Sequence, residues 1–298
     1  KTWGEASHIL SIRPKRERDG KLTLDETAYA EDILETFGMA DAKAASSPLD
    51  PGSKYQRGES DDQTREDLPR KYRQAIGASL YLVGGTRPDL AFATTYMSKF
   101  NEHPTEEHWS GIKHILRYMK QTKNYALIYQ RTGKYVQAFC DADWASDKAD
   151  RKSFSCYVFT LAGAAISWSS REQQSTALST VKAEYVAMCR ATKEVMWLQN
   201  FMKELGAHEF LQEPQVLLVD NQGAIALVKN QFTLERSKHI DLKHFFLREK
   251  VEEGKLQLQY VESSSNSADL FTKALNGRLT LKHCERLGVK NVDVATVH

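Results

Sequence analysis

No run of apolar residues in this chain approaches the roughly 18 to 20 needed to span a bilayer, so no membrane helix is expected. Charge of one sign is also missing. The net charge of +2 is too small to attract nucleic acid in bulk, and any such partner must be argued from local clusters. Cysteine is scarce: Cys140, Cys156, Cys189 and Cys284 form no Cys-x-x-Cys pair, and three of them sit in apolar strand or helix contexts. That excludes a disulfide framework and predicts buried free thiols in a reducing, intracellular compartment. The histidines, His239 and His244 among them, are spaced poorly for zinc. A secretory leader is not expected either, because Arg13, Lys15, Arg16 and Arg18 follow the first short apolar stretch instead of preceding it. The chain opens on Lys1, as a fragment or processed piece would.

What is present suits a globular protein. With 298 residues, 41% of them hydrophobic, the chain can build two domains or one domain and an extended neighbour. A hairpin is expected from His8–Ile12 and Lys21–Leu24 around Asp19-Gly20, then a helix capped by Asp25 and ended by Gly38. Residues 40–67 are rich in Ser, Asp, Gly and Pro with no apolar period, and read as a mobile loop. Helices follow near 69–84, 89–100 and 106–120, the last capped by Thr105. Its Lys113, Arg117 and Lys120 share one face, either a solvated basic face or one that tracks phosphates. From Tyr135 the pattern is α/β: a strand over 136–141, a hairpin over 154–169, and a helix over 180–205. In that helix Ala187, Ala191, Val195, Leu198, Met202 and Leu205 form the apolar stripe. A strand over 216–219, helices near 223–230 and 240–253, a strand over 256–261 and a short helix at Asp269 complete the order.

Four acidic residues stand out against this background. Asp141 and Asp220 each end an apolar run, Glu184 lies three residues before Ala187 on the sheet-facing side of the long helix, and Asp269 leads a short helix. Taken singly, an Asp at a strand end can simply solvate a sheet edge, and one at a helix start can serve the macrodipole. Glu184 is different, since a charge on a buried stripe needs a partner. Carboxylates so placed can converge at one edge of a mixed sheet, where hard cations such as magnesium would relieve their repulsion. The chemistry suggested is two-metal phosphodiester hydrolysis.

The segments around these residues resemble the ribonuclease H domain of copia-type retrotransposon polyproteins. The resemblance rests on Asp141-Ala142-Asp143-Trp144, Asp150-Arg151-Lys152-Ser153, Ile166-Ser167-Trp168, Ala183-Glu184-Tyr185, Val219-Asp220-Asn221, Lys238-His239-Ile240-Asp241 and Ala268-Asp269-Leu270-Phe271-Thr272-Lys273. Tyr72 to Gly77, Thr86-Arg87-Pro88-Asp89 and His108-Trp109 resemble the region just after the polymerase palm of the same polyproteins. The resemblance implies a ribonuclease H-like α/β fold, a mixed five-stranded sheet flanked by helices, over residues 134–276. Residues 1–130 would be a mainly helical reverse transcriptase thumb or connection region, and 277–298 a tail. The polymerase signature Tyr-x-Asp-Asp is missing, so no polymerase activity is expected.

Further implications are a catalytic, metal-holding set of Asp141, Glu184, Asp220 and Asp269, with Asp143 behind Asp141, and two Mg2+ ions for which Mn2+ can substitute. The substrate implied is the RNA strand of an RNA–DNA hybrid, positioned by Arg151, Lys152, Ser153, Trp168, Asn221 and Gln222, and a further partner is the upstream polymerase half. Three positions depart from the family pattern: Lys182 replaces a frequent Glu, Cys156 a common Gly, and the loop over 262–268 has no His. A decayed or domesticated binding module of the same fold, and a DNA-directed integrase or transposase, are the rival readings.

Overall fold

The computed structural model describes residues 7–58, 66–144, 152–174, 177, 179–229 and 241–293. The chain divides into two compact units, residues 1–131 with 274–298, and residues 132–273.

The first unit opens with a hairpin of β1 (Arg13–Arg16) and β2 (Leu22–Asp25). The expected first strand over residues 8–12 is displaced, because Leu10 and Ser11 adopt left-handed backbone with φ of 50° and 69° and leave only an isolated bridge there. Helices α1 (Thr27–Thr36), α2 (Leu68–Gly85), α3 (Ala91–Ser98) and α4 (Glu106–Gln121) follow, then β3 (Tyr125–Tyr129). Thr105 caps α4 in a reciprocal box, its hydroxyl accepting the His108 N–H while the His108 ring accepts the Thr105 N–H.

On the basic face of α4 Lys113 is exposed, as a solvated face would have it, whereas Arg117 and Lys120 are engaged by backbone carbonyls. Arg117 donates to the Lys43 and Ala44 carbonyls at 2.5 and 3.5 Å, and Lys120 donates to the Ala42 carbonyl at 2.8 Å. The His114 ring meets the Ser47 carbonyl at 3.1 Å. These contacts, with the Ala45 N–H donating to the Arg117 carbonyl at 3.3 Å, hold the loop against α4, and Leu49 is buried within it.

The second unit is a mixed five-stranded sheet. It contains β4 (Gln137–Asp143), β5 (Phe154–Leu161), β6 (Ala164–Glu172), α5 (Thr180–Glu204), β7 (Gln215–Val219), α6 (Gln222–Lys229), α7 (Asp241–Glu252) and β8 (Leu256–Tyr260). The strand order is β6-β5-β4-β7-β8, antiparallel on the β6 side and parallel from β4 to β8. Ala162 and Gly163, with φ of 52° and 79°, form the tight turn joining β5 to β6. Ala187, Ala191, Val195, Leu198 and Met202 pack α5 into the core formed with Ala138, Cys140, Leu217 and Val219. Leu205, expected on that stripe, is instead 64% exposed, because the helix has ended and Gly206 turns left-handed with φ of 69°.

Past residue 273 the chain rejoins the first unit. Residues 277–298, expected as a tail, include α8 (Gly277–Arg286) and β9 (Val289–Asn291), and β9 pairs antiparallel with β3. The first unit therefore carries a four-stranded antiparallel sheet, β1-β2-β3-β9, beside its helices.

Candidate active site

Asp141 and Asp220 stand at the ends of neighbouring parallel strands. Asp141 lies near the end of β4 and is 4% exposed; Asp220 immediately follows β7, which pairs with β4 through Ala138↔Leu217 and Phe139↔Leu218. The carboxyl ends of adjacent parallel strands are where open α/β sheets collect ligand-binding groups. Glu184 arrives from α5, whose N-terminus is capped by Ser179 accepting the Lys182 N–H. It is 5% exposed and lies beside Asp141 and the Ala142 peptide N–H, while its Oε2 is buried without a hydrogen-bond partner.

Asp269 sits in a single 3-10 turn, Ser267–Phe271, which is far too short to hold its own position. The surrounding sheet holds it instead. Asn266 accepts the Ala268 N–H and donates to the Cys140 carbonyl at 3.0 Å; the Cys156 thiol donates to the Ala268 carbonyl, and the Ser170 hydroxyl to the Phe271 carbonyl. Thr272, fully buried, donates to Asp141 Oδ2 at 2.6 Å. So tethered, Asp269 joins Asp141 and Asp220, with one carboxylate oxygen from each within 4.8 Å of the others. Ser263 donates to Asp220 Oδ2 at 2.7 Å.

Burial, then the charge of Asp220, pushes the Asp141 carboxyl up to about 7, against the pull of the Thr272 hydrogen bond. Burial, then the charges of Asp141 and Asp220, pushes Glu184 up to about 10. Lys273 Nζ lies 3.0 Å from Asp269 Oδ1. Burial disfavours its charge, but Asp269, with Asp141 and Asp143 behind it, raises its pKa above the ordinary value. An all-oxygen, like-charged donor set with an orphaned buried carboxylate oxygen suits a hard divalent cation.

The residues expected to position a duplex are dispersed by comparison. Ser153 is fully buried and its carbonyl accepts the Gln173 N–H, so it cannot touch a phosphate. Lys152 is ion-paired with Glu172 at 3.5 Å. Asn221 is committed to the start of α6, its Oδ1 accepting the Ala224 N–H, whereas Gln222 is exposed in the first turn. Trp168 is half-buried on β6 opposite Val158, two strands from Asp141. Arg151, with motif residues 145–150 and 238–240, lies outside the described residues.

Reading by residue type overlooked Asn266, Thr272, Lys273 and Ser263. A signal existed for the first two, since amide and hydroxyl side chains stand three residues before and three after Asp269. Cys156, unexplained in the sequence, is a tether for the Asp269 turn.

Three antiparallel strands, a helix and two parallel strands, with carboxylates at the ends of the two central strands, define a ribonuclease H-like domain. No family model matches the chain. It is 38% identical over 279 residues to the retrovirus-related Pol polyprotein from transposon TNT 1-94 of Nicotiana tabacum, covering 92% of this chain and 21% of that one. The corresponding polyprotein from transposon RE1 of Arabidopsis thaliana is 34% identical over 289 residues, covering 97% and 19%. Among solved structures, LC11-RNase H1 in complex with an RNA/DNA hybrid aligns with 46% of this chain and 93% of its own, at 16% identity and a TM-score of 0.35. The chain belongs to the retrovirus-related Pol polyproteins of copia-type transposons, and it spans about a fifth of the length of these curated relatives. No helix among the described residues is long and apolar enough to cross a membrane.

Proposed function

We propose that this chain hydrolyses the RNA strand of RNA–DNA hybrids, as the ribonuclease H part of a retrotransposon reverse transcriptase. The observation that carries the reading is the convergence of Asp141, Asp220 and Asp269 oxygens within 4.8 Å, with the orphaned Glu184 carboxylate beside Asp141. Asp141, Glu184, Asp220 and Asp269 would hold two Mg2+ ions, or Mn2+ in their place. Bound divalent cations supply the charge that lowers the pKa of an attacking water and stabilises the leaving 3′ oxygen.

The chain's own residues do the rest. Thr272 orients Asp141 by donating to Oδ2, Ser263 orients Asp220, and the tethers at Asn266, Cys156 and Ser170 keep the Asp269 turn against the sheet. In-line displacement leaves a 5′ phosphate and a 3′ hydroxyl. The hybrid would be told from DNA by 2′-hydroxyl contacts in its wide minor groove. Gln222, Lys152 and Trp168 remain candidates for strand positioning. Residues 132–273 form the nuclease unit in this reading, and residues 1–131 with 274–298 the end of the reverse transcriptase, next to an upstream polymerase half. Its four cysteines are free and buried, which suits an intracellular setting.

The test uses the whole chain with a labelled RNA–DNA hybrid in Mg2+, Mn2+ or chelator, beside Asp220→Asn. The expected result is metal-dependent cutting of the RNA strand alone, lost in the variant. Tight hybrid binding without cleavage under either metal would overturn it and favour a binding module that has kept the fold.

A further inference from the structure

We propose that Lys273 is a tethered counter-ion of the carboxylate cluster: its ammonium holds Asp269 in the metal-free chain, yields to an entering divalent cation, and so sets the metal affinity of the site. The inference rests on the metal-site reading above.

The placement of this side chain is built, not incidental. Thr272 is fully buried and donates to Asp141 Oδ2 at 2.6 Å, which fixes the backbone from which the next residue departs. That next residue, Lys273, reaches Asp269 Oδ1 at 3.0 Å. Two adjacent residues therefore engage two carboxylates whose oxygens lie within 4.8 Å of each other and of Asp220. Among the described residues, no other Lys or Arg is ion-paired with Asp141, Glu184, Asp220 or Asp269.

An ammonium and a metal ion compete for the same oxygen, since both need it as a donor of negative charge. Lys is suited to the exchange. It is a point charge with three rotatable donors on a flexible stem, so it can leave an oxygen without moving backbone. Its side chain is 42% exposed, and water can receive the ammonium when it lets go. A guanidinium locked in a bidentate pair would resist displacement, and a neutral side chain would leave Asp269 repelled by its neighbours.

Calorimetric titration of the whole chain with MgCl2 tests this, together with melting temperatures in chelator, so that the readout does not depend on cleavage. In Lys273→Met, Mg2+ should bind roughly fivefold tighter, the gain expected from removing one partly screened competing charge. The metal-free melting temperature should fall at the same time. Lys273→Arg should keep the metal-free melting temperature and bind Mg2+ no more tightly than the parent chain. Lys193→Met, which removes an exposed charge elsewhere on α5, should leave affinity unchanged. In an Asp269→Asn background the Lys273→Met effect should vanish. Equal or weaker Mg2+ binding by Lys273→Met, with the parent chain binding normally, overturns the role of Lys273 alone. No binding heat from either chain overturns it together with the metal site.

Discussion

In the first unit Arg87 is fully buried, and its guanidinium donates to both Asp89 oxygens at 2.9 and 2.8 Å, to the Thr122 carbonyl at 3.0 Å and to the Thr122 hydroxyl at 2.6 Å. Tyr118 donates to Asp89 Oδ2 as well. In the second unit the buried acids, Asp141 and Glu184, stand beside the carboxylates Asp220 and Asp269, Lys273 pairs with Asp269 alone, and Glu184 Oε2 has no hydrogen-bond partner. Buried charge is costly in both places. The first cluster meets the cost within itself, whereas the second meets it in part through Lys273 and leaves the rest to protons or to a cation that binds. A sequence motif does not separate the two, because Thr86-Arg87-Pro88-Asp89 and Ala268-Asp269-Leu270-Phe271-Thr272-Lys273 carry the family resemblance equally. The difference lies in what each charge touches.

Neutralising one charge in each cluster should produce opposite outcomes, and these are the largest effects expected. Asp220→Asn should lower metal-dependent cleavage of a hybrid by about a thousandfold or more, on the order of 4 kcal/mol of barrier, while the metal-free melting temperature stays level or rises. Arg87→Met should destabilise the chain by about 3–5 kcal/mol, because Asp89 is left buried and unpaired. Denaturant unfolding measures the second effect and single-turnover cleavage the first. A destabilised Asp220→Asn, or an unaffected Arg87→Met, would remove the distinction between the clusters.

Much of this contrast is legible in the sequence, though unevenly. Asp141, Glu184, Asp220 and Asp269 could be picked out because each has a local setting that sequence periodicity records: a strand end, a buried helix stripe, a turn. The strands of the second unit alternate or form short apolar runs between clear turns, and the α5 stripe repeats at helical spacing. The sheet of the first unit was hidden for physical reasons. Strand β1 is Arg13-Pro14-Lys15-Arg16, an edge strand with charges and a proline and no apolar period. Strand β9 is three residues long, and its partner β3 lies more than 150 residues earlier, beyond the reach of any local pattern. Ser153 and the α4 cations misled because a basic or polar residue reads the same whether it meets solvent, phosphate or a backbone carbonyl.

Proton linkage gives a further effect, read as a slope against pH, that sharpens the comparison. Burial raises Asp141 to about 7 and Glu184 to about 10. Below the ordinary carboxylate range both folded and unfolded chains hold these protons, so neither residue affects stability. As pH rises past that range the unfolded chain releases protons that the folded chain keeps, and stability falls. The decline continues through about 7 for Asp141 and toward about 10 for Glu184. In chelator the melting temperature should therefore drop from pH 5 to pH 9, and Glu184→Gln should flatten the slope. Added Mg2+ should offset the drop, since a cation supplies the missing counter-charge. A slope unchanged by Glu184→Gln would show that the strain lies elsewhere.

The smallest effects concern the tethers, and they separate orientation from stability. Thr272→Val keeps shape and removes the hydroxyl that donates to Asp141, so cleavage should fall about tenfold, roughly 1.4 kcal/mol of barrier, with folding changed by about 1 kcal/mol. Cys156→Ala should be milder. The thiol is a weak donor, and losing it leaves the Ala268 carbonyl short of one partner and opens a small void against a strand. About 1 kcal/mol of stability should go, with cleavage within roughly twofold of the parent chain, because Asn266, Ser170 and Thr272 still hold the Asp269 turn. Parallel unfolding and single-turnover measurements compare the two costs directly. If Cys156→Ala lost more cleavage than stability, the thiol would be aiming Asp269, and the turn would depend on every tether instead of sharing the load among them.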